Sequence, residues 1–243
     1  MAISAALMAG IPAMASTLCP GDAGQGTYNS ATFTAGSAPT GPSGTCTAGS
    51  INMSIPAAAG NEAGLKWLTS SPRFPSDLTF GNLGGLNASI SDLNGNEPFF
   101  FLGFQDANLA PVATPTANLL FIEFQPNNVV GGTSMPVDPA TTLFNLYDND
   151  TGVYLAGGQQ HKYTLDDWMS MDSSVSGDSI EKIEVAIGLA GGCAVGGCPN
   201  SVTVNSVSVA QTPEPGTIVS VATGLLCLGS GLAFRRRKLV QAV

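Results

Sequence analysis

Hydrophobic and polar positions along the chain follow a period of two rather than 3.6, and this predicts strands. Leu86, Ala88, Ile90 and Asp92 alternate with Asn87, Ser89 and Ser91, the pattern of a half-buried strand. Ile183, Val185, Ile187 and Leu189 alternate in the same way with Glu184, Ala186 and Gly188. Phe99 to Phe104 and Leu119 to Phe124 are continuous apolar runs of strand length, which places them in the middle of a sheet. Further strands are expected over Thr27 to Ala35, Thr45 to Ile55 and Leu65 to Thr69, with a shorter one at Leu78 to Phe80. Gln105 to Asn118, with Pro111 and Pro115, reads as a loop.

Thr142 to Tyr147 and Gly152 to Ala156 flank Asp148-Asn149-Asp150-Thr151-Gly152, residues that tolerate positive φ, so this unit predicts a hairpin. Thr164-Leu165-Asp166-Asp167-Trp168-Met169 predicts one short helix, with Thr164 as N-cap and acidic residues at the positive end of the dipole. Val202 and Val204 are out of phase with Val207 and Val209. A β-bulge at Asn205-Ser206 would bring all four to one face. About nine to eleven short strands and a single helix predict an all-β chain, an antiparallel β-sandwich of jelly-roll type, in one domain.

Cys19, Cys46, Cys193 and Cys198 are even in number, as in an oxidising compartment. Their spacing suggests Cys19 with Cys46, and Cys193 with Cys198 around a Gly-rich loop. The C-x4-C spacing also loosely fits a zinc knuckle, but no second pair of ligands accompanies it and His161 is the one histidine.

Charge narrows the partners. Four of the 8 basic residues lie at the C-terminus, leaving Lys66, Arg73, Lys162 and Lys182 against 17 acidic residues, a net −13 before the tail. A body of that charge repels phosphate backbones, so nucleic acid is not an expected partner.

The two ends of the sequence read as addresses. Met1 to Ala15 is apolar and ends in Ala13-Met14-Ala15, an A-x-A-like cleavage site, so 1–15 is expected to be a signal peptide. No Lys or Arg precedes Lys66, and the missing basic n-region predicts that the true start lies upstream. At the other end, Pro213-Glu214-Pro215 is followed by the uncharged run Thr217 to Phe234 and then Arg235-Arg236-Arg237-Lys238. As a helix the run would span roughly 27 Å, close to a bilayer core, with its cations on the cytoplasmic flank.

This three-part order resembles the PEP-CTERM sorting signal of Gram-negative bacteria. The resemblance covers about a tenth of the chain and implies handling by an exosortase, a membrane-embedded transpeptidase that removes the tail. It divides the chain into a signal peptide (1–15), a β-sandwich ectodomain (16–210), a Pro-Glu-Pro linker (211–216), a transmembrane helix (217–234) and a basic cytoplasmic tail (235–243). The implied location is the cell envelope, membrane-anchored during sorting, then the cell surface or outside. It says nothing of what the ectodomain binds.

No G-x-S-x-G elbow, H-E-x-x-H, P-loop or Rossmann glycine signature is present, and no enzyme is expected. Asp148 and Asp150 in one turn, and Asp92 and Asn94 in Asp92-Leu93-Asn94-Gly95-Asn96-Glu97, offer alternating oxygens and are weak calcium candidates; neither stretch has EF-hand spacing. Trp67, Tyr147, Tyr154, Tyr163 and Trp168 are the aromatics that could stack on sugar rings, Trp168 doubling as the helix's core anchor. The leading expectation is a non-enzymatic surface or matrix protein associated with exopolysaccharide or biofilm. A carbohydrate-binding module on the same sandwich is the alternative, and a polysaccharide hydrolase or lyase the third.

Overall fold

Alternation commits each strand to one apolar face, and burying many such faces together requires two sheets packed against each other. A computed structural model of the chain has this arrangement. It describes residues 14–28, 32–35, 46, 49–55, 62–95, 97–106, 118–123, 129–155, 162–188 and 200–212. The signal segment before Met14, His161, Cys193, Cys198, Pro213-Glu214-Pro215, the 217–234 span and Arg235 to Lys238 lie outside these, as does most of the loop between Gln105 and Asn118. Among the described residues no helix is long and apolar enough to cross a membrane.

Residues Ala15–Gln211 form one compact unit. One sheet contains β1 (Met14–Leu18), β3 (Thr32–Ala35), β4 (Ile51–Ile55), β6 (Leu83–Asn94), β9 (Ser134–Val137) and β14 (Asn200–Gln211). Its order is β3-β4-β14-β6-β9, with β1 also against β14. The other contains β2 (Gly24–Tyr28), β5 (Glu62–Leu68), β7 (Phe99–Gln105), β8 (Asn118–Glu123), β10 (Leu143–Asp148), β11 (Val153–Tyr154), β12 (Tyr163–Thr164) and β13 (Lys182–Gly188). It runs β11-β10-β8-β7-β13-β5-β2, with β12 also against β10.

Between the sheets lies a core in which Phe121 is central. Its ring stacks on Phe104 at 5.0 Å and meets Phe80, Phe144 and Trp168. The predicted bulge is present: pairing of β14 with β6 shifts between Val204 and Ser206, and Val202, Val204, Val207 and Val209 are all fully buried. The predicted helix is α1 (Leu165–Met171). Thr164 accepts from the Asp167 amide while the Asp167 side chain accepts from the Thr164 amide, a reciprocal cap that satisfies two otherwise orphaned donors. Cys19 and Cys46 are bonded, as their spacing suggested, with Cα atoms 5.1 Å apart.

Three expectations are corrected. Thr27 to Ala35 is two strands, β2 and β3, in different sheets, since one continuous run cannot pair in both. Leu78 to Phe80 is not a strand. Thr79 makes a single bridge to Ser179 and then caps the 3-10 turn Phe80–Asn82, exchanging hydrogen bonds with Asn82. Among the described residues there are 14 strands, more than expected, since short edge segments such as β9, interrupted by Pro136, carry too little pattern to be read.

Candidate functional site

The eight-stranded sheet is apolar on both faces. Its inner face supplies Phe100, Leu102 and Phe104 to the core, while on its outer face Phe101, Ile122 and Ala186 form a second buried cluster. Half-buried Phe99, Leu120, Tyr147 and Tyr154 pack against that cluster. A sheet face that only met water would alternate to polar residues, whereas this one carries a buried apolar cluster.

Strand register sets the outer face in rows. One row runs Tyr154, Tyr147, Leu120, Gly103, Lys182, Leu68 across six strands. At about 4.8 Å per strand it is roughly 24 Å long. The adjacent row is Asn145, Ile122, Phe101, Glu184, Lys66 and Gly24. Tyr147 and Tyr154 meet edge to face at 4.9 Å, and Phe99 and Phe101 do the same at 5.0 Å.

Two glycines on this face make room for long charged side chains. A Cβ on Gly64 would collide with the Glu184 carboxylate, so Glu184 lies flat over that position. A Cβ on Gly103 would stand 3.0 Å from Lys182 Cβ and 3.4 Å from Leu120 Cδ2, so Lys182 and Leu120 close over the floor. Lys182 Nζ donates to Glu184 Oε2 at 3.0 Å and sits 5.6 Å from the Phe101 ring centroid, within cation-π range. Beside them Glu62 titrates at about 7, raised first by burial and then by the charge of Glu184, with Lys182 acting against the rise. Half of the body's cations, Lys66 and Lys182, are on this one face.

At the Leu68 end of the first row the face opens into a cleft of about 360 Å³. Gly103, Leu120, Glu181 and Lys182 line it, and Thr69, Ser70, Asn118 and Asn149 bring hydroxyl and amide groups to its rim. The rim is fixed by Asp150, which accepts from both the amide and the side chain of Asn118 at 3.0 and 2.9 Å; these bonds hold its carboxyl below the usual range.

Of the aromatics expected to face a sugar, Tyr147 and Tyr154 are on this surface. Trp67 and Trp168 are not: both are buried in the core, with indole N–H groups donating to the carbonyls of Cys19 and Phe144. Tyr163 packs edge-on against Trp168 at 5.1 Å. Phe99, Phe101, Lys182 and Glu184 are on this face too, although the sequence reading gives them no binding role. The signal was the double-sided apolar run of β7, whose alternate positions Phe99, Phe101 and Gly103 face away from the core.

Three of the calcium candidates are already engaged by hydrogen bonds, Asp150 by Asn118 and Asp148 and Asp92 by their near neighbours. Asp148 is buried, with Oδ1 accepting from the amides of Asp150 and Thr151 and Oδ2 from the Thr151 hydroxyl. Asp92, at φ 52°, accepts from Ser91, and Asn94 ends β6. Among the described residues no three His, Cys, Asp or Glu side chains are grouped to hold a metal.

The sequence matches no protein-family model and no curated protein. Several solved structures align with the chain at low identity. The family 11 carbohydrate-binding module of the cellulosomal cellulase Lic26A-Cel5E of Clostridium thermocellum aligns with a TM-score of 0.43 at 11% identity, covering 78% of this chain and 88% of that one. The solution structure of CtCBM11 aligns at 0.45 and 11%, over 85% and 100%. A family 11 module from Clostridium thermocellum in complex with a β-1,3-1,4-mixed-linked tetrasaccharide aligns at 0.39 and 10%, over 80% and 94%.

Proposed function

We propose that the sandwich is a non-enzymatic glycan-binding module and that the outer face of its eight-stranded sheet is the binding surface. The carrying observation is the row from Tyr154 to Leu68. It joins half-buried tyrosines to a cleft lined by Gly103, Leu120, amide and hydroxyl side chains and the charged residues Glu181 and Lys182. A pyranose has an apolar C–H face and an equatorial belt of hydroxyls, so it needs an aromatic or aliphatic platform together with fixed polar groups at its edge. A row that crosses six strands suits a chain of sugars better than a single small molecule. Lys182 and Glu184, paired and held in place by glycine-made space, are arranged to bond hydroxyls without presenting a large net charge.

The Pro-Glu-Pro signal, apolar span and basic cluster support export and exosortase sorting of this module to the envelope, where a matrix polysaccharide would be its partner. Titration calorimetry of the full chain against soluble β-glucans, xylans and mannans tests the binding reading. At least one should bind, and Tyr147→Ala should weaken it about tenfold, the loss of roughly 1.4 kcal/mol at a buried aromatic anchor. Binding that is unchanged in Tyr147→Ala, or absent for every glycan, would reject this surface.

A further inference from the structure

Of the two lysines on the outer face of the eight-stranded sheet, Lys182 is committed to Glu184 at 3.0 Å and Lys66 is not. Lys66 stands directly across from Glu184 in the register of β5 and β13, where a cross-strand ion pair would be ordinary. Its stem leans the other way. Gly24 is its partner on β2, and a Cβ there would touch Lys66 Cγ at 3.5 Å and Cε at 3.6 Å, so the methylenes lie over a position without a side chain. Glu184 in turn lies over Gly64, with Oε2 on Lys182. Asp22, two residues before Gly24, is taken by Arg73 at 2.9 Å. Among the described residues the Lys66 ammonium makes no ion pair, in a body that sets 17 carboxylates against four cations.

The surrounding charges leave Lys66 as a local excess. Lys182 and Glu184 cancel each other. The other carboxylate on this side of β5 is Glu62, whose register partners are Gly188 on β13 and Tyr28 on β2 and whose charged neighbours are Glu184 and Lys182. Glu62 titrates at about 7, raised first by burial and then by Glu184, so below that pH it is neutral. One positive charge then stands uncancelled beside a low floor, Gly64 and its β2 partner Gly26.

We infer that Lys66 determines the specificity of the glycan face, and that the glycan is a mostly neutral chain bearing single carboxylates, one of which Lys66 binds. The inference rests on the glycan reading above and adds a substrate class to it. Lys66 is two residues from Leu68, where the first row ends, a step of about 6.8 Å along β5. That is comparable to one sugar ring, so a chain lying in the row can set an acidic ring or branch over the ammonium. A carboxylate on every ring fits badly, because Glu181 lines the cleft at the same end and repels the next one. The body's charge acts in the same sense. At physiological salt its field is screened beyond about 8 Å, which spares one carboxylate held at Lys66 but not a long polyanion.

The test is calorimetry of the full chain at pH 6 with two pairs of probes. One is a β-1,4-xylo-oligosaccharide bearing a single glucuronic acid, the other a β-1,4-gluco-oligosaccharide with a single C6 oxidised to a carboxylate. Each is measured beside its neutral counterpart, in which the carboxyl is reduced to the alcohol. In at least one pair the acid should bind about fivefold more tightly than the alcohol, the size of one partly exposed ion pair. Lys66→Gln should remove that preference and leave the neutral probe unchanged, while Lys66→Arg should keep it. The preference should shrink between pH 6 and pH 8 as Glu62 ionises, and Glu62→Gln should hold it constant. Equal binding of acid and alcohol in both pairs, binding of neither, or a preference that survives Lys66→Gln would overturn the inference. The two readings separate cleanly. Neutral binding lost in Tyr147→Ala without any acid preference keeps the tyrosine row and rejects the lysine; an acid preference lost in Lys66→Gln but unmoved by Tyr147→Ala does the reverse.

Discussion

Glu184 lies across Gly64, so closely that no side chain fits beneath it. The two residues are on neighbouring strands, where Ala186 is the direct partner of Gly64. Glycine at this position lets a carboxylate reach its lysine while lying flat on the sheet. Gly64→Ala should push Glu184 off the face and separate it from Lys182. The clash is with the flexible end of a side chain, so the stability cost should be at the low end of overpacking, about 1 kcal/mol. Glycan affinity should fall more than thermal stability does, and calorimetry beside a melting curve would show whether the two separate.

Asn145 is buried at 1% exposure on the outer face, and neither its amide oxygen nor its nitrogen has a hydrogen-bond partner among the described residues. Leaving such a group unpaired costs about 1–3 kcal/mol, whereas an apolar group of similar shape carries no such cost. Asn145→Leu should therefore raise the denaturation midpoint. Urea melts of the two chains would measure the shift.

Glu62 and Asp178 both titrate at about 7 in the folded chain, well above ordinary carboxylates. Burial is the first cause in each case, followed by a neighbouring carboxylate, Glu184 for one and Asp106 for the other. The native state thus holds protons that the unfolded chain releases. Their contribution to stability is complete below the ordinary carboxylate range and is lost as pH rises through about 7. Melting temperature should fall between pH 5 and pH 8. Glu62→Gln and Asp178→Asn should each flatten that fall, and a slope unchanged in both variants would contradict the assignment.

The Cys19–Cys46 bond closes a separation of 27 residues. Loop-closure entropy for a ring of that size is worth about 3.5 kcal/mol. Trp67 bonds the Cys19 carbonyl from the core at 2.8 Å, so the bond also anchors a buried strand. Cys46→Ala should lower stability by about 2–4 kcal/mol, and reductant should cost the native chain more than it costs the variant.

Local chemistry was legible wherever a single strand or turn carries its own signal. The alternation of Leu86 to Leu93, the valine phase shift at Asn205, the Asp148 to Gly152 turn and the Thr164 cap each depend on residues a few positions apart. Backbone geometry turns those directly into periodicity and capping. The pairing of Cys19 with Cys46 was suggested by nearness in sequence, which is also what makes closing that loop inexpensive.

Tertiary structure decided what lies opposite what. Trp67 and Tyr147 look equally available as sugar platforms in the sequence, yet one is at the centre of the core and the other on the outer face. Strand parity relative to the core separates them, and parity is known only once the sheet is assembled. The meeting of Tyr154, Tyr147, Leu120, Gly103, Lys182 and Leu68 in one row draws on strands from β5 to β13, more than a hundred residues of chain. No local pattern encodes that register. It follows from burying the inner faces of two sheets at once, which fixes every strand's offset and so places on one surface residues that the chain keeps far apart.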